Sequence, residues 1–139
     1  MFQRILVPVD FSEKNQRSLE IAHHLAATNQ GTIYLLHIIE MIADSSFEEF
    51  RDFYQNLEHE ASRKMAAWQT EFATSTIKID HAIVFGDRVT EIVRIAEEQA
   101  ADLIVMNSHR IDRNDPAASL STISYKVSVL ANCPVLLVK

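Results

Sequence analysis

Short unbroken apolar runs alternate along this chain with longer stretches in which apolar residues recur every three or four positions. Ile5-Leu6-Val7-Pro8-Val9 is the first run, rich in branched residues; Asp10-Phe11-Ser12-Glu13 follows, and then Leu19, Ala22, Leu25 and Ala26 at helical spacing. The pattern predicts strand, turn and helix. Asp10 and Ser12 are both suited to cap that helix, and Gly31 supplies its stop after Asn29 and Gln30. Thr32 to Ile39 is apolar almost throughout, too short for an ordinary helix and too continuous for a strand with one wet face. It predicts a strand covered on both sides.

From Asp44 to about Ala73 the chain is polar and charged, with Phe47, Phe50, Phe53, Tyr54, Leu57, Ala61, Met65 and Trp68 at three- and four-residue steps. That stripe predicts one long amphipathic helix, mostly core-facing, with aromatics to spare for a partner surface. Ile77 to Phe85 predicts a third strand ending at Gly86, and Val89, Ile92, Val93, Ala96 and Ala100 mark a third helix. Asp102 to Met106 predicts a fourth strand. Leu120, Ile123, Val127, Leu130 and Ala131 form the stripe of a fourth helix, and Val135 to Val138 predicts a fifth strand. Five strands alternating with four helices imply an α/β three-layer sandwich: a mainly parallel sheet, right-handed crossovers, and helices on both faces. Ligands of such sheets bind beyond the carboxyl ends of the strands, where strand order reverses. The candidate site is therefore Pro8 to Phe11, His37 to Glu40, and the chain from Met106 onward.

Composition narrows the chemistry. The 139 residues have the size of one domain, taken as 1–139. No apolar run approaches the roughly 18 residues that would span a bilayer, and the opening residues lack the features of a signal peptide, so a cytoplasmic protein without a membrane partner is expected. A formal net charge of −6 argues against nucleic acid, which needs clustered Lys and Arg, but not against one small anion in a local pocket. Cys133 is the only cysteine, so no internal disulfide and no cysteine cluster for zinc is expected. Six histidines raise a metal question, but His23 and His24 are adjacent on a helix and point apart; no metal site is expected.

Four segments carry a resemblance: Ile5-Leu6-Val7-Pro8-Val9-Asp10-Phe11-Ser12; Leu36-His37-Ile38-Ile39; Ala101-Asp102-Leu103-Ile104-Val105-Met106-Asn107-Ser108-His109-Arg110; and Cys133-Pro134-Val135-Leu136-Leu137-Val138. In this order and spacing the chain resembles the universal stress protein family over nearly its whole length. The resemblance implies a flavodoxin-like sandwich with strand order 3-2-1-4-5 and a homodimer paired through the last strand, 134–138. In one branch of the family it also implies an adenine nucleotide (AMP, ADP or ATP, with Mg if ATP) between strands one and four. Carried over by position, Pro8, Val9 and Asp10 line the adenosine end with Ile38 packing on the base, and Met106 closes the strand-four side. Asp10 is equally suited to ribose hydroxyls or to a helix cap.

The phosphate end departs from the family pattern of two glycines at the strand-four exit and Gly-Ser or Gly-Thr at the next helix. Asn107 stands at the first glycine, Arg110 at the second and Ser121-Thr122 at the final pair, in a loop one residue longer that contains Pro116. Asparagine tolerates the left-handed backbone better than most residues. Arg110 blocks close approach but offers a planar donor able to clasp phosphate, and Ser-His-Arg resembles a variant of the family with arginine at that place. Ser121 and Thr122 bring hydroxyls to a helix start, and His109 is a further donor, to phosphate or to loop backbone. Asp112 and Asp115 oppose these with negative charge, which disfavours a triphosphate more than a monophosphate. Only two glycines exist in the chain, and no nucleophile elbow, HExxH or P-loop is present, so no catalytic residue is assigned. Three functions stand: a stress-response binding module sensing adenine nucleotide, a nucleotide-free dimer that recruits a protein partner, and a slow ATP hydrolase using Asp10 and His109.

Overall fold

The computed structural model describes residues 1–74 and 76–139. The first strand, β1 (Arg4–Pro8), leads into α1 (Lys14–Asn29), and β2 (Thr32–Ile39) is followed by a 3-10 turn (Glu48–Phe50) and α2 (Arg51–Phe72). Then come β3 (Lys78–Phe85), α3 (Arg88–Glu98), β4 (Leu103–Asn107), α4 (Pro116–Leu120), α5 (Ile123–Leu130) and β5 (Val135–Val138). The five strands form one sheet in the order β3-β2-β1-β4-β5, with every pair parallel. This is the expected α/β sandwich.

Period-two alternation explains why both faces are covered. Ile5, Val7, Ile33, Leu35, Leu103 and Val105 point to one face and are buried with Leu19, Ala22 and Ala26 of α1 and Met65 of α2. Leu6, Leu36, Ile38, Ile104 and Met106 point to the other and meet Ile92, Ile95 and Ala96 of α3 and Val127 of α5. Neighbouring residues of one strand thus feed two cores, which is why the strands read as continuous apolar runs.

Several local expectations are corrected. The fourth helix is two helices: α4 has Pro116 in its first turn, with the Asp115 carboxylate accepting from the Ala118 N–H at 3.4 Å, and Thr122 caps α5 separately. Leu120 therefore falls outside the buried stripe and is exposed, as is Leu130; Val127 and Ser124 are the buried residues of α5. The second helix starts at Arg51 rather than Asp44 because the preceding segment is tied down differently. The Ile42 N–H donates to the buried Tyr54 hydroxyl at 2.6 Å, and Phe47 stacks on Tyr54 with centroids 5.6 Å apart. Phe50 and Phe53 stay exposed, while Tyr54, Ala61 and Met65 are buried.

Neither Asp10 nor Ser12 caps α1 with a side chain. The N-cap is Glu13, and Asp10 instead accepts from the Ser12 N–H at 2.9 Å, closing a turn on itself. At the other end of α1 the left-handed residue is Gln30, with φ 54°, and its neighbour Gly31 is needed for space. A Cβ on Gly31 would lie 3.0 Å from both the Gln3 Cα and the Phe2 carbonyl oxygen. We predict that Gly31→Ala costs about 1–3 kcal/mol through this backbone clash. Urea unfolding checks this, and an unchanged midpoint would contradict it.

Candidate functional site

Strand order reverses between β1 and β4, which share the pairs Ile5 to Leu103 and Leu6 to Ile104. Their chains leave the sheet in opposite directions, and a cleft of about 310 Å³ opens beyond their carboxyl ends. Its apolar walls are Pro8, Val9, Leu36, Ile38, Ile92, Met106 and Ile123. Its polar rim is made by Asp10, Ser12, Lys14, Asn15, His37, Arg88, Asn107, Ser108, His109 and Ser124.

Of the residues singled out in the sequence, Pro8, Val9, Asp10, Ile38, Met106, Asn107 and His109 all line this cleft. Arg110, Ser121 and Thr122 do not. Arg110 is exposed on the loop beyond His109. Ser121 ends α4 with its hydroxyl donating to the Ala118 carbonyl at 2.8 Å; the Thr122 hydroxyl donates to the Ser119 carbonyl at 2.8 Å and accepts from the Tyr125 N–H. The helix start facing the cleft is supplied by Ile123 and Ser124 instead. Asp112 and Asp115 accept hydrogen bonds from the Asn114 and Ala118 N–H groups, so both are engaged in loop structure.

Asn107 is placed otherwise than its glycine alignment suggests. It keeps a negative φ as the last residue of β4, and its side chain turns toward α1. Its Oδ1 accepts from Asn15 Nδ2 at 2.9 Å and from Ser18 Oγ at 2.7 Å, and its Nδ2 donates to the Lys14 carbonyl at 2.5 Å. Asn15 completes the network by accepting from the Asp10 N–H at 2.9 Å. Asn15 and Ser18 are not among the candidates read from the sequence, although two polar residues at three-residue spacing on the stripe of Leu19 and Ala22 are a readable signal of a buried network.

The β1 exit is held tightly. Phe11 has φ 63°, a costly conformation for a bulky residue, and is surrounded by His37 at 4.5 Å and Trp68 at 5.2 Å between ring centroids, with Lys64 Nζ over its ring at 5.6 Å. His37 Nδ1 lies 2.8 Å from the Val9 carbonyl. A carbonyl only accepts, so Nδ1 carries the hydrogen and Nε2 is a bare acceptor.

Two titrations are shifted. Burial pushes the His37 ring below its ordinary value, against the Val9 hydrogen bond that favours the charged form; the Arg88 charge adds to the lowering. Burial pushes the Asp10 carboxyl up, but hydrogen bonds from Ser12 and from its own backbone, with the Arg88 charge, outweigh this and hold it below 3.8. At neutral pH the rim thus presents an ionised Asp10 beside a neutral His37. Arg88, at the start of α3, faces Glu40 of the β2 exit at 3.6 Å. It follows the turn at Gly86, whose φ of 153° suits glycine. Among the described residues no group of three metal-binding side chains is present, and no helix is long and apolar enough to cross a membrane.

A model of the universal stress protein family matches residues 1–139, and the chain belongs to that family. The universal stress protein MJ0577 of Methanocaldococcus jannaschii is 31% identical over 156 residues, covering 100% of this chain and 96% of its own. The solved structure of MJ0577 superposes with a TM-score of 0.84 at 34% identity, over 100% of this chain and 96% of that one. A universal stress protein from Archaeoglobus fulgidus in complex with dAMP has a TM-score of 0.71 at 20% identity, each chain covered fully. Another universal stress protein, in complex with cAMP, has a TM-score of 0.67 at 21% identity, covering 99% of this chain and 97% of that one. These two share the flavodoxin-like fold.

The lowered His37 value carries a pH consequence. The unfolded chain takes up this proton first as pH falls, so the stability His37 contributes is present above about 6.5 and is lost as pH drops from there through the lowered folded value. We predict that the thermal midpoint of the wild type falls between about pH 7 and pH 5 by more than that of His37→Gln. Parallel curves for the two proteins would contradict it.

Proposed function

We propose that this chain is a nucleotide-responsive binding module of the universal stress family whose cleft takes an adenine nucleotide. The observation that carries the reading is the make-up of the cleft: apolar walls from Val9, Leu36, Ile38, Ile92 and Met106 beside one ionised carboxylate, Asp10, at the switch point of the sheet. A purine buries its faces between apolar side chains, and a carboxylate accepts from the vicinal hydroxyls of ribose. The complexes of two relatives of this fold with cAMP and dAMP support the same ligand class. A volume near 310 Å³ stands at the lower end of ligand pockets, about 300–1,000 Å³. The function is binding, with no covalent step assigned to any residue.

The direct test is to denature freshly purified protein, identify released nucleotide by mass, and titrate emptied protein calorimetrically with AMP, ADP and Mg-ATP. AMP is expected to bind at least as tightly as Mg-ATP. Asp10→Ala is expected to weaken AMP by about tenfold through the lost charge-assisted hydrogen bonds. No released nucleotide together with no heat at millimolar ligand on folded protein would overturn the reading and leave a nucleotide-free interaction module.

The reading extends to a homodimer. β5 pairs only with β4 among the described residues, its Leu136 is exposed by 38%, and Val129 and Leu130 of α5 are exposed by 63% and 56%. An open apolar edge with no blunting charge before Lys139 favours pairing with a second copy. Sedimentation is expected to give a dimer for the wild type and a monomer for Leu136→Asp; a monomeric wild type at micromolar concentration would contradict it.

A further inference from the structure

If the cleft holds a nucleotide as proposed, its phosphate must meet residues other than Arg110, Ser121 and Thr122, which do not line the cleft. Two cationic residues line the wall, Lys14 and Arg88, together with His37 and His109. Arg88 is already set against Glu40 at 3.6 Å and acts on Asp10 and His37, which places it at the β2 side of the cleft. Lys14 begins α1 at the opposite side, next to Asn107, and among the described residues its ammonium has no carboxylate within ion-pair distance. Ser108 and Ser124, whose hydroxyls are 3.1 Å apart, line the same end.

We propose that Lys14 is the residue that recognises the ligand's phosphate, and that Asn107 is its positioning residue. A glycine at 107 would open the backbone to an anion. The asparagine does something different: its Nδ2 binds the Lys14 carbonyl at 2.5 Å while its Oδ1 is held by Asn15 and Ser18, which are 2% and 0% exposed. The first turn of α1 is thereby pinned to the exit of β4, which fixes the backbone of Lys14 beside the cleft. The phosphate contact moves from backbone N–H groups of the β4 loop to a side-chain ammonium on α1. A single ammonium with two hydroxyls suits one phosphate group of a nucleoside monophosphate.

The ratio of AMP affinity to adenosine affinity reads this directly, because adenosine lacks only the phosphate. Calorimetry of both ligands is run on the wild type, Lys14→Gln, Asn107→Gly, the double variant and Arg110→Ala. Lys14→Gln is expected to lower the ratio by about ten- to a hundredfold with adenosine binding retained. Asn107→Gly is expected to lower it as well, and the double variant to add little to Lys14→Gln, since the two act through one contact. Arg110→Ala is expected to leave the ratio unchanged. A purely structural role for Asn107 would weaken both ligands together and keep the ratio. An unchanged ratio in Lys14→Gln, a higher one in Asn107→Gly, or a fall confined to Arg110→Ala would overturn the assignment while the adenosine site stands. Failure of the wild type to bind either ligand would overturn both readings.

Discussion

The hydrogen bonds of Asn15 and Asn107 hold the exits of β1 and β4 at a fixed spacing, and the cleft is the space that spacing leaves. In a parallel sheet the ladder ends where the strands end, and two chains leaving in opposite directions have no reason to stay in register beyond it. Here one amide bridges from the Asp10 N–H to the other, and the other reaches the Lys14 carbonyl and the Ser18 hydroxyl. Every member of the network is satisfied, and burial makes that obligatory: a single orphaned group here would cost about 1–3 kcal/mol. The same constraint bends the turn that follows Val9. With the Asp10 N–H fixed from α1 and the Ser12 N–H fixed by the Asp10 carboxylate, Phe11 is left with a positive φ, and the tilted contact of His37 and the edge-on contact of Trp68 with its ring offset the strain.

That geometry sets the electrostatics of the rim. Asp10 stays ionised although burial opposes it, because the turn supplies donors and Arg88 supplies charge. His37 stays neutral for the converse reason: burial and the Arg88 charge outweigh the Val9 carbonyl that holds its Nδ1–H. The site thus combines a fixed acceptor, a neutral ring and basic groups on opposite walls. Apolar walls from Val9, Leu36, Ile38, Ile92 and Met106 stand between these polar groups.

The sheet was legible because its signal is redundant. Each of Ile5-Leu6-Val7, Leu35-Leu36, Leu103-Ile104-Val105-Met106 and Val135-Leu136-Leu137-Val138 supplies both faces at once, and the alternation with helical stripes leaves few topologies. The apolar walls of the cleft were legible for the same reason, since Pro8, Val9, Ile38 and Met106 lie at strand ends whose positions follow from the sheet. Less predictable were features decided by contacts far apart in sequence. The start of α2 at Arg51 depends on the Ile42 bond to Tyr54 and the stacking of Phe47, neither visible in a helical stripe. The division of α4 from α5 depends on the caps Asp115 and Thr122, which a periodic reading of Leu120, Ile123 and Val127 runs through. Asn107 read as a substitute glycine because its φ and its partners on α1 are not local properties.

The Ser108 end of the cleft and the free edge of the sheet are also one structure. Lys139, just past β5, donates from Nζ to the Ser108 hydroxyl at 3.2 Å and to the His109 carbonyl at 3.1 Å, while the Ser108 N–H donates to the Val138 carbonyl at 2.8 Å. Ser108 therefore faces the cleft with its hydroxyl in reach of Ser124 and is anchored from behind by the edge strand. A loop that contains no glycine from Asn107 to Thr122 cannot adapt its backbone to an anion as cheaply as a glycine cradle can, so these anchors fix Ser108 and His109 before any ligand arrives. Rigidity at this end is the physical counterpart of the absent glycines: the rim's side chains are held in place by hydrogen bonds within the fold.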